Sequence, residues 1–333
     1  MSNANPENLK IVKEHGQQGV LFRIAGGGET AFVASSDANV YALGMMQDKL
    51  EPQPLSGHTS YVTGLVETAH GLVSGSYDRK LIWWNTETRE PIRTIDAAHA
   101  KWIRNLAMSP DGQFVASVAD DMVCRIWNAA DGSLKHELKG HEAITPNHYP
   151  SMLFCCAFSA DGGKLATADK VGHVVVWDVA SGKQLAAVEA PTMYTWDPKQ
   201  RIHSIGGIRS LAFSPDGKLL ATGGMGQVGN IDHLGALARV EVFDWEKQER
   251  THEFAGDEYK GLVERLYFQP EGKWLLGAGG DNGGFIKFFD LASGKLIKQD
   301  KAPMHVHDFA VNEAADTIYA VGHGRMVVWS IGG

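Results

Sequence analysis

Apolar and polar residues alternate in short runs along the whole chain, and Gly, Asp and Pro bound the runs. Period-two alternation of this length predicts β-strands buried on one face. Such runs fall at 20–24, 32–35 and 40–43, and again at 210–214, 219–222 and 239–244. Further runs lie at 265–268, 274–277, 285–290, 306–311, 317–321 and 326–329. One 14-residue stretch recurs: LVSGSYDRKLIWWN at 72–85, VASVADDMVCRIWN at 115–128 and LATADKVGHVVVWD at 165–178. Each copy opens on an apolar run ending in Ser or Thr and closes on Trp followed by Asp or Asn. A histidine stands upstream of each copy, at His58, His99 and His141, with separations of 41 and 42 residues. Turn sequences repeat in step: SPDG at 109–112, SADG at 159–162, SPDG at 214–217 and QPEG at 269–272. In such turns Pro presets φ and Gly supplies the positive φ.

A period of about 40–45 residues with Gly-His and Trp-Asp punctuation resembles the WD-repeat (WD40) β-propeller family. The resemblance implies an all-β ring of four-stranded antiparallel blades. A chain of 333 residues holds seven blades of about 42 residues with some to spare. The expectation is therefore one seven-bladed propeller over 9–333. Its blades are read at about 15–57, 58–98, 99–140, 141–190, 191–255, 256–303, and 304–331 plus 9–13. The last blade lacks a fourth strand. The segment LKIVK at 9–13 is expected to supply it, closing the ring and covering an open sheet edge. Residues 1–8 are expected to fray.

Composition agrees with a turn-rich β protein: 38 glycines, 44% hydrophobic and 21% charged residues. The net charge of −8 argues against nucleic acid, whose phosphates need clustered Lys and Arg. It favours a partner segment carrying Lys or Arg, chiefly through encounter rate. No stretch approaches the length of a membrane helix, and the N-terminus has no signal-peptide apolar core. No membrane partner and a cytoplasmic location are expected. Three cysteines, Cys124, Cys155 and Cys156, lie within strand-like runs. They read as reduced, buried thiols rather than a disulfide framework.

The resemblance also implies a buried hydrogen-bonded chain in each well-formed blade. The matching residues are His58, Ser74, Asp78 and Trp84 in the second blade, and His99, Ser117, Asp121 and Trp127 in the third. The fourth keeps His141, Thr167 and Trp177, with Val171 where Asp is expected. A Ser-His-Asp set could be catalytic. Here it recurs at fixed spacing without a G-x-S-x-G elbow, which reads as structure, so no catalytic residue is assigned. Later blades degenerate: Phe243 and Phe289 replace Trp, and Gly256-Asp257 replaces Gly-His.

The surplus residues point to function. His141 to Ser159 spans 18 positions against 10 for His99 to Ser109, so the excess lies at 142–150. Trp177 to Ser214 spans 37 against 25 for Trp84 to Ser109, an excess at 191–203. Thr222 to Phe243 spans 21 against 10 for Thr167 to Trp177, an excess at 225–238. These connections should emerge on one face of the ring, carrying His148, Tyr149, Tyr194, Trp196, Asp197, Asn230, Asp232 and His233. The same face should hold Tyr61, Tyr77, Trp102, Arg104, Asp120 and Arg209. Large aromatics with Arg on a rigid scaffold have the make-up of a binding hot spot. The functional expectation is a non-enzymatic scaffold, alone or as a subunit, that binds a protein or peptide through Tyr61, Tyr77, Trp102, Arg104, Asp120, Tyr149, Tyr194, Trp196 and Arg209. The alternative is a small-molecule or metal site, enzymatic or not, under the insertion loops of the fourth and fifth blades. The plainer reading has those loops packing only on each other.

Fourteen histidines invite a metal reading. His148, His203 and His233 fall in or beside insertions, and His305, His307 and His323 in the last blade. None has H-E-x-x-H or paired-Cys spacing, so no metal or cofactor is assigned. The glycine-rich stretches at 26–28 and 279–284 lack the Lys-Ser/Thr of a phosphate loop and read as bulges and turns.

Overall fold

The repeated 14-residue stretch folds as its alternation predicts. In the third repeat, strands Ile103–Met108, Phe114–Ala119, Val123–Asn128 and Leu134–Lys139 form one antiparallel sheet in sequence order. A computed structural model describes residues 4–28, 30–256 and 258–333. Among these, five four-stranded antiparallel sheets, one six-stranded sheet and one two-stranded hairpin account for the named strands. The four-stranded sheets span 62–95, 103–139, 153–189, 210–254 and 262–302. No helix among the described residues is long and apolar enough to cross a membrane.

The blade number needs correction. Among the described residues the structure has six blades, not the seven separate four-stranded blades expected. The residues assigned to the first and last blades share the six-stranded sheet, ordered Val306–Val311, Thr317–Ser330, Lys10–Gly27, Thr30–Ser35, Asn39–Leu43, Gln53–Ser56. Lys10–Gly27 is one 18-residue strand. Its first part pairs with Thr317–Ser330, from Lys10↔Ser330 to Val20↔His323. Its second part pairs with Thr30–Ser35, from Leu21↔Ser35 to Gly27↔Thr30. Gly16 and Gly19 look like a boundary in the sequence. In the fold the strand runs through them with a register shift between Gly16 and Val20. Likewise Gly322 and Gly324 sit inside the 14-residue strand Thr317–Ser330 instead of separating two strands.

Part of the tail expected to fray is built into the fold. Pro6–Asn8 form a 3-10 turn capped by the Asn5 side chain, and Asn5 N–H donates to the Ile331 carbonyl at 2.8 Å. Residues 1–3 lie outside the described residues, as does Asp257.

Apolar side chains from neighbouring sheets pack face to face. Ala116, Val118, Cys124 and Ile126 meet Leu153, Cys156, Leu165 and Trp177 in one cluster. Cys155, Ala166 and Val176 meet Ile208, Leu211 and Phe243 in the next. All three cysteines are free and buried. Burial pushes the Cys156 thiol up to about 12, so it is an inert apolar filler. The turns repeat too: the Ser109, Ser159 and Ser214 hydroxyls each donate to the Asp two residues on, at 2.5–2.6 Å. Gly112, Gly162, Gly217 and Gly272 close these turns at φ between 71° and 73°.

The first strand of each four-stranded sheet faces a central channel of about 660 Å³, lined by Arg23, Leu65, Asn105, Cys156, Leu211, Arg265 and Asp308 among others. The six-stranded sheet supplies two of these inner strands, Lys10–Gly27 and Val306–Val311.

Candidate functional site

The repeated polar residues form closed hydrogen-bonded chains. His58 Nε2 meets Ser74 Oγ at 2.7 Å, Trp84 Nε1 donates to the same oxygen at 2.8 Å, and His58 Nδ1 lies 2.9 Å from Asp78. In the next blade His99 Nε2 meets Ser117 at 2.7 Å, Trp127 donates to Ser117 at 2.8 Å, and His99 Nδ1 lies 3.1 Å from Asp121. Asp78 and Asp121 also accept backbone N–H groups, from Thr59 at 2.9 Å and Ala100 at 3.0 Å. Burial alone would raise the Asp121 carboxyl, but its hydrogen bond and charge contact with His99 and those of Ala100 and Arg125 hold it well below the usual range. Each Ser oxygen is fully buried and joins the imidazole and the indole of its own blade.

In the blade beginning at His141 the acid comes from a residue the repeat pattern passes over. Asp169, two residues before Val171, accepts from His141 Nδ1 at 2.9 Å, while His141 Nε2 and Trp177 Nε1 meet Thr167 at 2.8 and 2.9 Å. In the blade containing Phe243 the repeat's Trp position carries no indole, and an ion cluster around the buried Glu241 occupies the strand instead. Arg239 donates to Glu241 at 2.5 Å, and Arg250 to Glu241 at 3.0 Å.

The expected face residues divide into two groups. Tyr61, Tyr77, Trp102, Arg104, Asp120 and Arg209 come together. Tyr77 stacks on Trp102 with ring centroids 4.6 Å apart and 4° between planes, and Tyr61 leans on Tyr77 at 5.7 Å. Arg104 forks onto Asp120, with Nε and Nη2 donating at 2.7 and 2.6 Å. It also donates to the Tyr77 hydroxyl and lies over the Tyr77 and Trp102 rings at 4.8 and 5.4 Å. Arg209 stacks on Phe154 at 3.6 Å. Tyr61 is 47% exposed and Trp102 50%.

The insertion residues are consumed by one another. Tyr194, buried, donates to Thr145 at 3.2 Å, and Tyr149 donates to the Asp197 carbonyl at 3.1 Å. Tyr194–Asp197 and His203–Gly206 form the two-stranded hairpin. Val228 N–H donates to Thr195 at 3.1 Å, and Arg201 pairs with Asp232. Met225, Val228, Ile231 and Ala236 make their own apolar cluster with Leu262. Trp196 stays 44% exposed. His148, His203 and His233 are exposed, as are Asn230 and Asp232.

Sequence reasoning missed what lies between these aromatics. The channel mouth is a cavity of about 140 Å³ lined by Phe22, Arg23, Thr63, Tyr77, Arg104, Phe154, Arg209, Glu264 and His307. Six of these occupy register shifts of the inner strands: Phe22, Thr63, Arg104, Phe154, Glu264 and His307. A bulge leaves one residue out of the ladder and re-aims its side chain, here toward the axis. One signal was legible: Thr63 and Arg104 each fall five residues after the repeated histidine.

The mouth is electrostatically mixed. Burial would raise the Glu264 carboxyl, but His305, Arg209 and His307 bring it down to about 2. Burial, with His305, His323 and Arg23 nearby, lowers the His307 imidazole to about 3 against the opposing pull of Glu264. Burial and the Arg209 and Arg104 charges lower the Lys170 ammonium. Glu264, His305 and His307 present ligand atoms within 4.8 Å of one another.

Comparison with known proteins supports the repeat reading. The family model described as WD domain, G-beta repeat, matches residues 51–85, 89–128, 132–178 and 197–228. Guanine nucleotide-binding protein subunit beta-1 of Caenorhabditis briggsae is 27% identical over 205 residues, covering 57% of this chain and 54% of that protein. Nuclear distribution protein PAC1-2 of Uncinocarpus reesii is 29% identical over 170 residues, 48% of this chain and 35% of the relative. Apoptotic protease-activating factor 1 of Rattus norvegicus is 33% identical over 153 residues, 46% of this chain and 11% of the relative. The matches thus span about half or less of each relative's length.

Proposed function

This chain belongs to the WD-repeat family, and from that premise we propose that it is a non-enzymatic scaffold binding a peptide or partner domain over Tyr61, Tyr77 and Trp102. WD-repeat propellers of this kind are typically interaction scaffolds, and one of the relatives is by its printed name a subunit of a larger protein. The observation that carries the reading is the Tyr77–Trp102 stack, whose Trp102 face is half open to solvent and which is held by Arg104 in its fork onto Asp120. Held aromatics lose little rotamer freedom on binding, which is the condition for a hot spot. The buried Ser-His-Asp chains, bonded within their own blades, support a non-enzymatic reading.

The test immobilises the wild-type chain and the Tyr61→Ala and Trp102→Ala variants, all checked for equal melting, and compares the proteins each retains. A partner retained by the wild type should lose about 2 kcal/mol or more of affinity in each variant. Equal retention by all three would overturn the choice of face.

A further inference from the structure

We propose that Glu264, His305 and His307 form a site for a zinc-class divalent metal ion at the wall of the channel mouth. His305 and His307 are separated by one residue, and their rings stack at 4.5 Å on one side of the chain. Glu264 comes from the neighbouring inner strand Leu262–Phe268, with Oε1 3.6 Å from His305 Nε2. Glu264 and His307 both occupy register shifts, so backbone irregularities in two adjacent strands aim both ligands at the same point.

Two further observations point to a ligand. The Nε2 atom of His307 is buried and has no hydrogen-bond partner, and the buried Nε2 of His305 has only the Glu264 carboxylate, 3.6 Å away. A buried imidazole nitrogen without a partner is costly unless something occupies it. The other nitrogen of His305 is already oriented: Nδ1 lies 2.9 Å from the Asp281 carbonyl. A ring nitrogen held by a carbonyl while the opposite nitrogen faces the ion is the usual second tier of a histidine-metal site. Gly322 has the same positional logic, because a Cβ there would collide with the His305 carbonyl.

Two imidazoles and one carboxylate make a three-ligand set that leaves a tetrahedral ion one open position. Metal bonds of about 2.0–2.1 Å place such ligand atoms about 3.3 Å apart. The 3.6 Å His305–Glu264 separation is near that value, and all three ligand atoms lie within 4.8 Å of one another. Arg23 and Arg209 share the cavity wall, so the site has no excess negative charge. Imidazole softness must therefore do the selecting, favouring Zn²⁺, Cu²⁺, Ni²⁺ or Co²⁺ over Mg²⁺ and Ca²⁺. The His323 ring packs at 4.9 and 4.8 Å from His305 and His307 as a wall of the site.

The test takes the full chain, strips it with chelator, and titrates it with Zn²⁺ by calorimetry and with Co²⁺ by visible absorption. One Zn²⁺ per chain and the intense visible bands of four-coordinate Co²⁺ are expected. His307→Asn and Glu264→Gln should each weaken Zn²⁺ binding by about 100-fold or more, while His323→Gln and His233→Gln change it by less than about threefold. Zn²⁺ should raise the melting temperature of the wild type and not of His307→Asn. Excess Mg²⁺ or Ca²⁺ should not displace it. No Zn²⁺ binding at micromolar concentration in the wild type would overturn the proposal. So would unchanged affinity in Glu264→Gln, or loss of binding in His233→Gln. Should His307→Asn fail to fold, Glu264→Gln and the wild-type Co²⁺ spectrum decide the matter.

Discussion

Trp102 lies flat on Tyr77, 4.6 Å between centroids and 4° between planes, and one guanidinium, Arg104, holds both rings from behind. Arg104 is in turn fixed by two hydrogen bonds to Asp120. The open aromatic surface thus rests on an ion pair that is only 14% and 11% exposed.

Breaking that pair should loosen the face. Arg104→Ala leaves Asp120 largely buried without its cation and should cost about 2–3 kcal/mol in urea unfolding. Arg104→Lys should recover less than half of this, because an ammonium cannot fork onto the carboxylate and stack on two rings together. Equal stability of the Lys variant and the wild type would remove the stacking role.

The Ser117 oxygen joins His99 and Trp127. Ser117→Ala strands both a ring nitrogen and an indole N–H in the interior and should cost about 2–4 kcal/mol. In a Trp127→Phe background one stranded donor is already gone, so the same change should cost about 1–2 kcal/mol less. A double-mutant cycle in denaturant measures the difference.

Acid should act through Asp121 and Asp78. Both are held below the ordinary carboxylate range in the fold, where hydrogen bonds from His99 and His58 outweigh burial. Above pH about 5 the carboxylates are ionised in folded and unfolded chains alike, and their full contribution is present. Below it the unfolded chain takes up protons that the native state refuses, so stability falls as pH drops through and below the unfolded value. Urea midpoints followed from pH 7 to 3 should fall more steeply for the wild type than for Asp121→Asn. Parallel curves would contradict the assignment.

The Asp169 assignment is directly checkable. Asp169→Asn removes the carboxylate facing His141 and should cost about 1–3 kcal/mol. Val171→Ala, at the position the repeat pattern indicates, should cost about 1 kcal/mol or less. Thermal melts of the two variants give the order.

Thr145 ties two insertions together by accepting from Tyr194 and from the Tyr149 N–H. Thr145→Val should raise amide exchange across 142–150 and 194–206. It should lower global stability by only about 1 kcal/mol, because the sheets do not depend on that contact. Unchanged exchange in both segments would show that the hairpin holds its place without this link.

The sequence alone determined the repeat, the strand alternation, the Ser-Asp-Gly turns and the polar chains of the blades beginning at His58 and His99. Those are local or period-locked features: a strand's two faces and a turn's φ are set by residues within a few positions. The tertiary structure decided the rest. Whether Lys10–Gly27 stops at Gly16 or runs on depends on edges offered by Thr317–Ser330 and Thr30–Ser35, far apart in the chain. That choice made six blades from a pattern that counts as seven. Asp169 replaces the residue at Val171 because a carboxylate two positions earlier can still reach His141 through space. Glu264 and His307 meet beside His305 because bulges in adjacent strands turn both toward one axis. Register shifts follow from how the strands pair, and no spacing rule along one strand contains that pairing.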